Sequence, residues 1–281
     1  MDTLGRRQVA FNASSRDQWD GFAEHRQRLT AVLARKAMVD GSRLCVLGAG
    51  NANDLDLVTL LAAHREVHLV DIDSEALARG AERQQVARHP RLWLHGGVDV
   101  TATLGLLSDL TPISELGPSD FNAMAEWPAA RAELLLPTGF DCVASTCLLT
   151  QILETAAHSL GQGHRQLTEA QAALRAGHLR LMARLAAPAG KAVLVTDVVS
   201  SKTLAELPAL NQEELAGLLP RLGRTSNHFR GVHPRELLAA LRADPSIGSR
   251  LAAASPLKPW RWRLHDQTLL VVAIDFRLAP R

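Results

Sequence analysis

The stretch RLCVLGAGNANDLDL, Arg43 to Leu57, decides how the rest of the chain is read. Arg43 to Leu47 is a short apolar run that ends on Gly48-Ala49-Gly50, the pattern of a buried strand entering a tight turn. Asn51 to Ala63 then carries Leu55, Val58 and Leu61 at helical intervals. Val67 to Val70 is a second short strand ending in Asp71-Ile72-Asp73, and Ser74 to Ala87 reads as helix again. Arg91 to Val98 (RLWLHGGV) is a third strand. Strand, glycine turn, helix, strand, acid is the order of a nucleotide-type cofactor site. Gly48 lets the chain leave the strand sharply, and Gly50 presents no side chain to a ligand approaching the backbone. A helix beginning near Asn53 points its free N–H groups the same way, and Asp71 can accept both hydroxyls of a ribose.

Working outward, Phe140 to Ser145 (FDCVAS) is a fourth strand, and a long helix over Thr168 to Leu185 leads into a fifth, Lys191 to Val198. Residues 99–139 give no regular pattern. Strands that alternate with helices and are apolar on both faces form a parallel sheet between two helical layers. The chain ends differently, with a helix over Pro234 to Leu241 and two strands, Trp260 to Leu264 and Thr268 to Phe276. Only a short turn joins those two, so they are antiparallel neighbours. Ahead of the first strand, Ser15 and Gln18 have capping-box spacing, and Trp19, Phe22, Leu29, Val32 and Leu33 recur at helical intervals. This predicts one amphipathic helix over Asp17 to Met38, in an N-terminal helical extension (1–40) to a main domain of 41–281.

Composition narrows the function. With 281 residues, 47% of them hydrophobic and 21% charged, the chain can build a large core. No run approaches the roughly 20 apolar residues of a membrane span, and the polar start lacks the apolar stretch of a signal peptide. A cytoplasmic protein with no membrane partner is expected. The formal net charge is +2, with 31 basic and 29 acidic residues intermixed, which leaves no footprint for nucleic acid. Cys45, Cys142 and Cys147 form no CxxC pair, so buried reduced thiols are expected rather than a metal site.

The turn also discriminates between cofactors. A dinucleotide fingerprint, G-x-G-x-x-G, needs a third glycine where Asn53 stands, and Asp54 places a negative charge where a pyrophosphate would sit. Asn53 or Asp54 can cap the following helix, and Asp73 before Ser74 can cap the next.

VLGAGNANDLDL, VHLVDIDSEAL, LHGGVDV, FDCVASTCLL and LAAPAGKAVLVTDV resemble the successive cofactor motifs of class I S-adenosylmethionine-dependent methyltransferases. The resemblance runs from about Arg43 to Val198 and resumes at the terminal hairpin. It implies a three-layer Rossmann-like methyltransferase fold, α/β, with a mostly parallel seven-stranded sheet and an antiparallel terminal strand. It implies that Gly48, Ala49 and Gly50 lie under the methionine part of S-adenosyl-L-methionine, that Asp71 holds the ribose, and that Ile72 lies beside the adenine. It further implies that Asp99, with Val98 adjacent, meets the adenine amino group, and that Ser145 and Thr146 lie beside the methyl group. Ala52 stands where the family's third small residue is common, whereas Asn51 and Asn53 are unusual there.

Family members that methylate exocyclic or amide nitrogens carry an Asn/Asp-Pro-Pro-Tyr/Phe motif after the fourth strand. Here that position reads Ser145-Thr146-Cys147-Leu148, which disfavours DNA bases and protein amides and leaves a small-molecule acceptor. An in-line displacement asks mainly for alignment, so no catalytic residue is assigned. The 200–233 connection is long enough for a lid, with His228, Arg230 and His233 as candidate acceptor contacts. A nicotinamide-dependent oxidoreductase and a catalytically silent binding protein are the alternative readings.

Overall fold

The computed structural model describes residues 3–34, 41–225 and 228–279. Two helices, α1 (Thr3–Ser15) and α2 (Ala23–Ala34), precede the sheet. The alternation opens with β1 (Arg43–Leu47), α3 (Leu57–Ala63), β2 (Glu66–Val70), α4 (Ser74–Arg83) and β3 (Leu92–His95). Helices α5 (Leu104–Asp109) and α6 (Pro118–Leu135) lead to β4 (Phe140–Thr146). Next come α7 (Leu148–Leu160), α8 (Leu167–Leu185) and β5 (Ala186–Ser200). The chain then continues through α9 (Gln212–Thr225) and α10 (Pro234–Ala243) to β6 (Leu251–Pro256), β7 (Trp260–Leu264) and β8 (Gln267–Leu278).

The strands form one sheet in the order β3-β2-β1-β4-β5-β8-β6, with β7 also paired to β8. Pairings from β3 across to β5 are all parallel, and β8 runs antiparallel to β5, Lys191 facing Arg277 and Ser200 facing Leu269. From β1 the chain winds outward to β2 and β3 on one side and later to β4 and β5 on the other. The crevice of such a doubly wound sheet opens beyond the carboxyl ends of β1 and β4. Period-two alternation along β1 sends Cys45 and Leu47 into one apolar layer and Leu44 and Val46 into the other. Both faces of the sheet are therefore covered, and each fully buried leucine contributes about 1.5–3 kcal/mol. The described residues thus form the three-layer α/β architecture that the strand pattern predicts.

Four local readings need correction. The sheet has eight strands where seven were expected, because β6 and β7 lie end to end along the same edge of β8. Pro256 and Pro259 interrupt that edge, where a missing N–H costs no ladder bond. The single helix expected over Asp17 to Met38 is instead α2, preceded by a turn. Gln18 N donates to Ser15 O at 3.1 Å, and the Arg26 guanidinium lies 3.6 Å from the Trp19 ring centre. The last four positions of that expected helix fall outside the described residues. The helix after β1 starts at Leu57, capped by Asp56, whose Oδ1 accepts from Thr59 N at 3.0 Å. The patternless stretch 99–139 holds α5 and α6.

Pro128 sits inside α6 and deprives the Met124 carbonyl of its helical donor. Gly177 of α8 packs against that turn; a Cβ there would lie 2.2 Å from Met124 O. Arg180 of the same helix donates to Ala125 O at 3.3 Å. Phe22, Leu29 and Leu33 of the N-terminal segment share an apolar cluster with β1 and β8.

Candidate functional site

The glycine turn after β1 is stitched to the end of β2. Gly48 N and Ala49 N both donate to Val70 O, at 2.9 and 3.2 Å. Gly48 has φ +75°, and a Cβ on it would come within 2.9 Å of Leu148 Cβ, so only glycine fits this turn. Gly50 N donates to Asp71 Oδ2 at 2.8 Å, and Asp73 N donates to Asp71 Oδ1 at 2.9 Å. Asp73 in turn caps α4 by accepting from Ala76 N at 2.9 Å. Burial raises the Asp71 carboxyl above its ordinary range, against the opposing pull of the two backbone donors.

Asp71 faces a cavity of about 650 Å³, counting the part open to solvent. Ile72, Val98, Leu104 and Ile152 supply its apolar walls, and Asp99 lies across the rim. Asp99 also organises the start of α5: Oδ1 accepts from Thr101 N (2.9 Å) and Thr101 Oγ1 (2.6 Å), and Oδ2 from Leu104 N (3.0 Å).

A second cavity, about 980 Å³ on the same measure, lies on the other side of the glycine turn. Ala49, Gly50 and Asp54 form one side, Thr146 and Cys147 another, and Trp262 and His265 of the terminal hairpin close it. Gly48, Asn12 and Gln151 line both cavities. Asp54 is buried and faces Thr146, and desolvation pushes its carboxyl up to about 7. Cys147 starts α7 in the left-handed region, with φ +49°, and its thiol is raised by burial and then by Asp197 and Asp54.

The structure brings together Gly48, Ala49, Gly50, Asp71, Ile72, Val98, Asp99 and Thr146 around these two cavities. Ser145 lines neither; it is fully buried and its Oγ is 2.8 Å from His178 Nε2 of α8. His228, Arg230 and His233 line neither cavity as well. His233 caps α10, its Nδ1 accepting from Arg235 N, which leaves Nε2–H to donate to Leu219 O of α9 at 3.0 Å. His228 lies 3.2 Å from Leu222 O and 3.3 Å from Glu236 Oε1, and Arg230 is exposed. The two imidazoles therefore hold α9 against α10.

Sequence reasoning missed Gln8 and Asn12, which α1 lays over the cavities, and the helix cap offered to Asn53 or Asp54 belongs to Asp56. Asn12 Nδ2 donates to Asp71 Oδ1 at 3.2 Å. The two unusual asparagines of the glycine turn were the available signal. Asn51 Nδ2 donates to Asn12 O and Asn53 Nδ2 to Ser15 O, both at 2.6 Å, so they grip the last carbonyls of α1. Among the described residues no group of three His, Cys, Asp or Glu side chains could hold a metal ion, and no helix is long and apolar enough to cross a membrane.

No family model and no curated protein matches this chain. Among solved structures, magnesium protoporphyrin IX methyltransferase from Synechocystis PCC 6803, with S-adenosylmethionine bound, is 11% identical with a TM-score of 0.48. That match covers 98% of this chain and 97% of that one. An O-methyltransferase from Bacillus cereus in complex with S-adenosylhomocysteine is 11% identical with a TM-score of 0.47, covering 99% and 91%. The N-methyltransferase NodS from Bradyrhizobium japonicum WM9, with S-adenosylhomocysteine, gives 10% and 0.44, covering 91% and 86%. Similarity at this level attaches no activity to the chain.

Proposed function

We propose that this chain transfers the methyl group of S-adenosylmethionine to a small-molecule acceptor in the cytoplasm, with residues 1–40 serving as a helical extension that closes the site of 41–281. The charge of the two joined cavities carries this reading. Among the described residues, their walls hold the three carboxylates Asp54, Asp71 and Asp99 and no lysine or arginine. A pyrophosphate brought there would meet acids and no cation, whereas a sulfonium cofactor with an ammonium group brings the complementary charge. The remaining surfaces fit the same ligand: Asp71 for ribose hydroxyls, Ile72 and Val98 for the adenine faces, and Gly48 and Ala49, where the turn lines the second cavity, for the methionine part.

Once bound, the cofactor supplies an activated methyl carbon that departs from sulfur by in-line displacement. The chain's own work is to align and to enclose. Asp71 is held rigid by Gly50 N and Asp73 N, so it meets the ribose without reorganising. Helix α1 covers the glycine turn and keeps water from it. Beyond the turn, Phe22 and Trp262 give the second cavity an apolar wall for an organic acceptor.

Calorimetric titration with S-adenosylhomocysteine and, separately, with NADH tests the reading. Binding of the first and not the second is expected; binding of NADH alone would overturn it. Labelled methyl donor incubated with a metabolite extract should place label in the low-mass fraction, and label confined to macromolecules would refute the acceptor class.

A further inference from the structure

We propose that Asp54 is the group that takes the α-ammonium of the cofactor's methionine tail, an assignment that rests on the cofactor reading above. The structure frees Asp54 for the task by giving the helix cap to Asp56. Asp54 is left in the turn, three positions before α3, and only 8% exposed. It lines the second cavity beside Gly48, Ala49 and Gly50, the turn that would lie under the methionine part, and it looks across to Thr146 at the end of β4.

An enclosed carboxylate is costly unless a cation meets it. No salt bridge reaches Asp54 among the described residues. Arg26 of α2 faces it and favours its charged form from a distance, while one guanidinium nitrogen donates to Trp19 O at 3.0 Å and Asn53 O at 2.7 Å. Asp71 just after β2 adds negative charge, Cys147 just before α7 is a neutral buried thiol, and His265 of the terminal hairpin lines the same cavity. An ammonium brought by the ligand into the second cavity would supply the direct ion pair that Arg26 does not make. Neither Asp71 nor Asp197 can substitute. Asp71 lines the first cavity and not the second, and Asp197 is bonded to Thr150 Oγ1 at 2.7 Å and lines neither cavity.

Burial holds the Asp54 carboxyl at about 7, so near neutrality the free protein carries it partly protonated. An ammonium partner favours the ionised form. Affinity should therefore climb as pH rises from 6 to 8, by up to about tenfold per unit on the acid side of that range.

The test compares S-adenosylhomocysteine with 5′-methylthioadenosine, which keeps the adenosine and the thioether but lacks the amino-acid tail. In Asp54→Asn, affinity for S-adenosylhomocysteine should fall at least tenfold while affinity for 5′-methylthioadenosine stays within twofold. The rise of S-adenosylhomocysteine affinity between pH 6 and 8 should appear in the wild type and vanish in the variant. Unchanged S-adenosylhomocysteine binding by Asp54→Asn would overturn the assignment, and so would equal losses for both ligands. If the wild type binds neither ligand, the cofactor reading itself falls and this assignment goes with it.

Discussion

Asp71 acts on the protein as well as on any ligand, which shapes what its removal should do. Asp71→Ala strips the ribose of charged hydrogen bonds worth about 1.5–3 kcal/mol each, so affinity for S-adenosylhomocysteine should drop at least tenfold by calorimetry. It also leaves Gly50 N and Asp73 N without an acceptor, so a lower unfolding midpoint should accompany the loss. Gly50 shows a different mechanism. Its φ is +46°, and a Cβ there would lie 2.6 Å from Asn12 Oδ1. Gly50→Val should therefore push α1 off the turn before any ligand is met. Both positions were legible in the sequence, because a strand end, a glycine turn and an acid lie within one βαβ unit. Asp54 was not. The role proposed for it depends on where α3 begins, and Asn53, Asp54 and Asp56 on either side of Leu55 are all residues that can cap a helix. Ser145 failed the other way: its partner, His178, is supplied by a distant helix that no local pattern announces.

Helix α1 is seated mostly by polar contacts. Only Leu4 and Gly5 of it are buried, while Gln8 Nε2 donates to Thr155 Oγ1 at 2.9 Å and the turn asparagines hold its last carbonyls. An intramolecular hydrogen bond contributes a net 0.5–1.5 kcal/mol or about that, so losing two costs roughly 1–3 kcal/mol. In an Asn51→Ala/Asn53→Ala variant, amide exchange over residues 3–15 should quicken about five- to hundredfold while the strands keep their protection. Exchange unchanged in α1 would show that the asparagines are not its clasp. Helix α6 escaped the sequence because Pro128 reads as a breaker; the close approach of Gly177, which lets α8 cover that turn, lies some fifty residues away. Strand β6 escaped because LAAASP is short, small and on an edge.

Across the molecule, the parallel core was readable from apolar runs and their spacing, and the added edge was not, since an edge strand needs no continuous apolar face. Both ends of the chain meet at that side. The His25 ring of α2 stacks on Trp262 at 4.5 Å, and its Nδ1 accepts from Trp260 Nε1 at 3.0 Å. Desolvation lowers this imidazole to about 3. A depressed histidine adds stability above its unfolded value of about 6.5 and loses it as pH falls toward the folded value. His25→Gln keeps an acceptor for Trp260 but does not titrate. The variant should gain on the wild type by about 1 kcal/mol between pH 6.5 and 5.5 in urea unfolding, and a constant difference would refute the burial argument. The same handshake governs the order in which the molecule matures. β8, which pairs with β5, β6 and β7, lies far along the chain from α2, and the tryptophans that receive His25 come just before it. Helix α2 cannot complete its docking until that hairpin has been made, so on a growing chain its partner face stays exposed well after β1 to β5 have emerged.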